Sequence, residues 1–159
     1  MIFLTVGTQL PFDRLVLAMD AWAAEHANEE VHAQIGPSKL QPRHLSWQHF
    51  MPPDEVEALT NASRLVVAHA GMGSVLTSLR FFRPMVLVPR KASLGEHRNE
   101  HQLATAQRLA DTPGVRIAWE VEDLPSLLRI DLQATPNQPL PRYAQGRLIA
   151  RLRHFIGAA

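Results

Sequence analysis

Cysteine is absent from the 159-residue chain, which removes disulfides, thiolate zinc sites, iron–sulfur clusters and cysteine nucleophiles together. An excess of one charge is missing as well. Sixteen basic residues face fifteen acidic ones, so no global field holds the chain on nucleic acid or an anionic membrane, and any anion must be met at a local site. Hydrophobic runs are short. None approaches the roughly 20 residues that span a bilayer, and the stretch from Met1 to Gly7 has neither the basic leader nor the long apolar core of a signal peptide. The expectation is a cytoplasmic chain. At 46% hydrophobic and 19% charged residues, its length suits one domain over residues 1–159 with room for a sizeable core.

The pattern alternates strands and helices. Met1 to Val6 is an apolar run stopped by Gly7, and after Pro11 the period changes, with Phe12, Leu15, Val16, Met19, Trp22, Ala23 and His26 on one helical face. Further strands are predicted at Val31 to Ile35, Leu45 to Phe50, Leu65 to Ala68, Met85 to Val88 and Val115 to Trp119. Helices are predicted after Pro53, from Val75 to Phe82, up to Leu109, and from Leu124 to Leu128. Near-continuous apolar strands between helices predict an α/β fold, a Rossmann-like doubly wound parallel sheet covered on both faces. Residues 131–141 carry three prolines and read as an extended connection. A terminal amphipathic helix over 142–157 follows, with Leu148, Leu152 and Phe155 as its stripe and Arg142, Arg147, Arg151 and Arg153 making it basic.

In such a sheet, ligands bind beyond the carboxyl ends of the strands. Three loops there have unusual composition. Gly7-Thr8-Gln9-Leu10-Pro11 offers a glycine for close backbone approach and two polar side chains, although glycine after a first strand also serves plain turn geometry. His69-Ala70-Gly71-Met72-Gly73-Ser74 sets backbone N–H groups and a hydroxyl at a helix N-terminus, a pyrophosphate site in physical terms, or else a tight strand–helix turn. It is no Walker loop, lacking Gly-Lys-Ser/Thr. Leu76 stands where a dinucleotide fingerprint needs its third glycine, and Ser74 lacks the flanking glycines of a nucleophile elbow. The third loop runs from Pro89 to Gln102. Arg90, Lys91 and Arg98 suit phosphate, and Glu96, Asn99, His101 and Gln102 suit sugar hydroxyls. His97 and His101, four apart, would allow a metal pair on a helix, but no third ligand is evident. No metal site is expected, and without an Asp-x-Asp motif a metal-dependent sugar transferase is disfavoured.

Taken in order, Phe3 to Leu15, His69 to Ser74, Val88-Pro89-Arg90, Gly95-Glu96-His97 and His101-Gln102 resemble the glycosyltransferase family 28 C-terminal domain. The likeness runs to about residue 130. It is closer to the small donor-binding subunits of two-part glycosyltransferases of bacterial exopolysaccharide synthesis and eukaryotic lipid-linked GlcNAc transfer. The resemblance implies one half of a GT-B enzyme that holds a UDP-sugar as donor, without a metal or other cofactor. A separate membrane-anchored subunit would supply the other half and a lipid-linked acceptor, so that this chain is peripheral to the inner membrane through its partner.

Carried over by position, the resemblance implies that Gly7 and Thr8 line the cleft toward the partner, that Gly71, Gly73 and Ser74 cradle the diphosphate, and that Gln102 and His101 meet the donor sugar. Phe50-Met51-Pro52 falls at the uracil ring. Arg90 joins the helix N-terminus at the leaving group. Many relatives carry an acidic residue for the ribose where this chain has Thr77, so ribose recognition is expected to pass to Glu96. His69, Asp13 and His97 are candidates for the general base, which in this architecture commonly belongs to the acceptor half; the catalytic residue is left unassigned. Two alternatives are a nucleotide-sugar-binding or regulatory module without catalysis, hinted at by Thr77, and a receiver-like signalling domain, which lacks its acidic pocket and lysine.

Overall fold

The computed structural model describes residues 1–129, in which six strands and five α-helices alternate except that β3 follows β2 directly. The strands are β1 (Ile2–Thr5), β2 (Val31–Gln34), β3 (Ser46–Gln48), β4 (Leu65–His69), β5 (Met85–Val88) and β6 (Val115–Ile117). The helices are α1 (Asp13–Glu25), α2 (Pro53–Ala62), α3 (Met72–Arg80), α4 (His101–Leu109) and α5 (Leu124–Arg129). All strand pairs are parallel, in the order β3-β2-β1-β4-β5-β6. Strand order therefore reverses between β1 and β4, the point at which a doubly wound sheet opens a crevice at its carboxyl edge. Both loops of greatest interest, after Thr5 and after His69, leave the sheet there.

Alternation along β1 supplies both cores. Ile2 and Leu4 face one side, packed with Leu15, Val16 and Met19 of α1 and Leu124 and Leu128 of α5. Phe3 faces the other, with Val66, Ala68, Met85, Leu87, Val75 of α3 and Ala106 of α4. Because both faces are covered, the central strands read as unbroken apolar runs. β3 departs from that pattern, since it is an edge strand with an exposed, polar Ser46 and Gln48.

Several predicted boundaries shift. The strand expected over Leu45 to Phe50 keeps only Ser46–Gln48, and the one expected to reach Trp119 ends at Ile117. The helix expected from Val75 begins three residues earlier, at Met72, and so takes Gly73 and Ser74 into its first turn. That position tolerates glycine, since first-turn N–H groups have no intrahelical partner in any case. The extended connection over 131–141 and the terminal helix over 142–157, with Leu148, Leu152 and Phe155, lie outside the described residues. No helix among the described residues is long and apolar enough to cross a membrane.

Leu4 is fully buried on β1 between β2 and β4. Leu4→Ala removes three buried carbons with no nearby chain free to collapse, and is expected to cost about 2–5 kcal/mol, read as a lowered urea midpoint at unchanged slope.

Candidate functional site

Two adjoining cavities open at the carboxyl edge of β1 and β4. The first, about 330 Å³, is lined by Val6 to Leu10, His69, Gly71 to Ser74, Arg90, His97 and Gln102. The second, about 260 Å³, lies between α2 and α3 and is lined among others by Thr5, Gln34, Met51, Glu57 and Thr77. They share Gly7, Thr8, Gly73 and Ser74. An apolar groove of about 520 Å³ beside Leu17 and Trp22 of α1 lies apart from both.

The N-terminus of α3 forms the common wall. Gly71 stands at its N-cap position, and no side chain caps it. The N–H groups of the first turn face the cavities without a competing side-chain acceptor, an arrangement that favours an anion by hydrogen bonding and by the helix dipole. A Cβ added to Gly73 would meet no heavy atom within 4 Å, so no packing requirement of the folded chain explains the glycine. Its bareness instead keeps the cradle open.

Gly71 and Gly7 have a different reason. A Cβ on Gly71 would lie 2.1 Å from His69 Nε2, and one on Gly7 would lie 2.8 Å from His69 Cε1. The imidazole is therefore held between two glycines, and Gly7 also has φ +77°, a conformation that L side chains rarely adopt. Burial pushes the His69 pKa down to about 4, reinforced by the nearby Arg90 cation and opposed by the Thr5 backbone. His69 is neutral at pH 7. It offers a hydrogen bond to the cavity rather than a charge, and so low a pKa makes it a weak proton acceptor.

Arg90 lines the first cavity, yet its guanidinium is committed elsewhere. Nη2 donates to the carbonyls of Val6 and Leu10, both at 2.8 Å, and Nη1 donates to that of Pro11 and, at 3.4 Å, to that of Glu96. Its carbon sits 4.7 Å from the Phe12 ring centroid. Burial lowers the Arg90 pKa to about 10, with Glu96 acting against the shift, and the group remains charged at neutral pH. Beside the leaving-phosphate contact expected from the sequence, the structure therefore gives Arg90 a bracing role. Arg90 ties down the loop after β1 through both Nη groups, while its Nε makes no hydrogen bond to the described residues.

The expectation for Glu96 is corrected, since it lines neither cavity. Its Oε1 accepts from Arg14 Nε at 2.7 Å, and its Oε2 accepts from Arg14 Nη2 and the Lys91 N–H, both at 2.9 Å. The carboxylate organises the 89–96 turn and raises the Arg14 pKa. Asp13 is likewise drawn away, its Oδ1 accepting from Ser38 Oγ at 2.6 Å. His101 is exposed at the start of α4 and lines neither cavity, nor does Phe50. Gln102 is buried on the first cavity wall, its Oε1 accepting the Arg90 N–H at 3.1 Å, and His97 lines the same cavity. Met51 lines the second, with its N–H donated to Gln34 Oε1 at 3.0 Å and therefore withdrawn from a base. Among the described residues no three His, Asp or Glu side chains gather closely enough to hold a metal ion.

Thr5 and Gln34 escaped the sequence reading because they lie within apolar strands. Gly7 N–H and Gln34 Nε2 both donate to Thr5 Oγ1 at 3.2 Å. With the Met51 contact, this buried chain of polar groups fixes the ends of β1 and β2 and the segment leading to α2. The cue available in sequence was a polar residue at the last position of each strand, next to the crevice.

A six-stranded parallel sheet with cavities at its switch point defines a Rossmann-like α/β class. Residues 1–139 match the glycosyltransferase family 28 C-terminal domain, and the chain belongs to that family. No curated protein sequence gives a match. The solution structure of ALG13 is similar, with a TM-score of 0.59 at 20% identity, covering 95% of this chain and 93% of that one. The glycotransferase of kitacinnamycin gives a TM-score of 0.59 at 20% identity over 82% of this chain and 33% of that one. Glycosyltransferase VinC, solved in complex with DTDP, gives 0.50 at 21% identity over 98% and 33%. The chain thus spans about a third of the larger glycosyltransferases that it resembles, and its fold is that of one half of a GT-B enzyme.

Two outcomes follow from the site geometry. Gly71→Ala is expected to cost about 1–3 kcal/mol, since the new methyl must displace a buried ring, whereas Gly73→Ala holds stability level or raises it by about 0.4–1 kcal/mol; paired thermal melts check this. For His69, folding lowers the pKa from 6.5 to about 4, so the unfolded chain binds more protons between those values. Stability is full above pH 6.5, declines as pH falls toward 4, and is lost by up to about 3 kcal/mol below that. Denaturant titrations of His69→Gln should show a flatter profile across this window.

Proposed function

We propose that this chain is the donor-binding half of a metal-independent, inverting glycosyltransferase, holding a UDP-sugar while a membrane-anchored partner subunit presents a lipid-linked acceptor. The observation that carries the reading is the uncapped start of α3, where Gly73 is bare for no packing reason and borders both cavities. A diphosphate seated there receives first-turn N–H groups and the positive end of the helix dipole. His69, neutral and pinned by Gly7 and Gly71, adds a donor without adding charge. The first cavity, with Gln102, His97 and Thr8 on its walls, then takes the hexose, and the second takes the nucleoside.

In the reaction, the acceptor hydroxyl oxygen attacks C1 of the sugar from the face opposite the diphosphate. The C1–O bond to UDP breaks as the new bond forms, and the hydroxyl proton passes to a base. Charge that develops on the departing diphosphate is met by the same fixed N–H groups, which stabilise it without reorganisation. Asp13 is bound to Ser38 and His69 is held far below neutrality in its pKa, so the base is either His97 on the first cavity wall or a group of the acceptor half. Exposed Phe50, Met72 and Leu76 give such a half apolar surface to cover. The setting of exopolysaccharide or related glycan synthesis follows from the family resemblance, with the chain held at the inner membrane through its partner.

Calorimetric titration with UDP, UDP-glucose, UDP-GlcNAc and UDP-glucuronate tests the reading. Binding without added metal is expected, with a preference among the sugars. Gly73→Val should weaken UDP binding at least tenfold while leaving the melting temperature in place; undiminished binding would remove the diphosphate assignment. Sugar transfer is expected only with the partner present, and robust transfer by the single chain would overturn the division of labour.

A further inference from the structure

The second cavity holds one carboxylate. Glu57, from the first turns of α2, lines it opposite Thr77 and Ser78 of α3. Glu57 Oε2 accepts from Arg80 Nη2, while Oε1 is engaged by no hydrogen bond among the described residues. The Arg80 ion pair matters for the site. A lone carboxylate beside a diphosphate would repel it, whereas a carboxylate already neutralised by a guanidinium on its far side contributes little net charge and keeps an acceptor oxygen.

The other polar side chains on its walls are neutral and make weaker acceptors than a carboxylate. Thr77 Oγ1 donates its proton to the Gly73 carbonyl at 3.0 Å, which leaves it a neutral acceptor. Gln34 is bound at both ends, to Thr5 and to the Met51 N–H. The remaining walls include Phe3, Met51, Pro53, Val56 and Val66, apolar surface suited to a flat ring or a furanose face. A ligand group in this cavity that brings hydroxyl donors finds Glu57 Oε1 as its strongest acceptor. Since the cavity joins the diphosphate cradle through Gly73 and Ser74, the group one bond beyond the phosphates on this side is the pentose.

We infer that Glu57 reads the ribose hydroxyls of the bound nucleotide, with Arg80 holding its carboxylate in place, so that the chain selects ribonucleotides over 2′-deoxyribonucleotides. The inference rests on the proposed nucleotide-binding function. Glu57 is a specificity determinant. Arg80 is a positioning residue, acting on the nucleotide through Glu57.

The test is the ratio of affinities for UDP and 2′-deoxyuridine diphosphate, measured by calorimetry on the full chain and on Glu57→Gln and Arg80→Gln. Wild type is expected to favour UDP at least tenfold. Glu57→Gln should bring the ratio to within twofold, chiefly by weakening UDP, and Arg80→Gln should reduce it to an intermediate value. A general loss of packing would weaken both nucleotides together and leave the ratio in place. A wild-type ratio near one, or a tenfold ratio retained in Glu57→Gln, overturns the inference while the nucleotide site stands. Wild-type protein that binds neither nucleotide, alone or with a co-expressed partner, overturns the proposed function itself.

Discussion

The buried guanidinium of Arg90 holds the site together. It leaves the end of β5, crosses the carboxyl edge of the sheet and gathers the carbonyls of Val6, Leu10 and Pro11 from the loop after β1, with the Phe12 ring close to its carbon. Backbone carbonyls turned inward at a loop need donors, and an unpaired one in the interior costs about as much as a lost hydrogen bond. One side chain with five N–H groups in a fixed fork supplies several at once. Arg90 thereby decides where Gly7 and Thr8 lie, and those residues wall both cavities. Glu96 and Arg14 extend the same bracing along the 89–96 turn.

This use of charge commits both Nη groups of Arg90 to the backbone of the loop after β1. In the proposed function, attraction for a diphosphate falls chiefly to the oriented backbone of α3, beside the Arg90 cation and a neutral His69. Fixed dipoles of this kind are already aligned before the reaction and need not rotate as charge moves onto a leaving group. The second cavity follows the same logic with the opposite sign. Glu57 is tolerable beside an anion because Arg80 neutralises it.

The fold class was legible because the chain's physics is local and repetitive. Apolar runs such as Leu65 to Ala68, each followed by a helical period, can bury both faces only in a parallel sheet with helices on either side. The place of the cavities was legible for a related reason: two glycines and a serine between a buried strand and a helix leave bare backbone at the carboxyl edge of the sheet. Roles that depend on a single side chain's direction were not. Arg90 and Glu96 read as ligand contacts because charged residues in a loop beside a site normally face solvent or ligand, and neither the 79-residue separation between Arg90 and Pro11 nor the 82-residue one between Arg14 and Glu96 leaves a trace in local pattern.

The sequence by itself determined the alternation of elements, the apolar faces that make two cores, and the family to which the chain belongs, since periodicity and short motifs carry those. Tertiary structure decided which glycines are required by packing and which are not, which charges point inward, and that Glu57 of α2 shares a cavity with Thr77 of α3. Those outcomes rest on pairs of residues far apart in the chain, brought together only when β1 and β4 pair at the centre of the sheet.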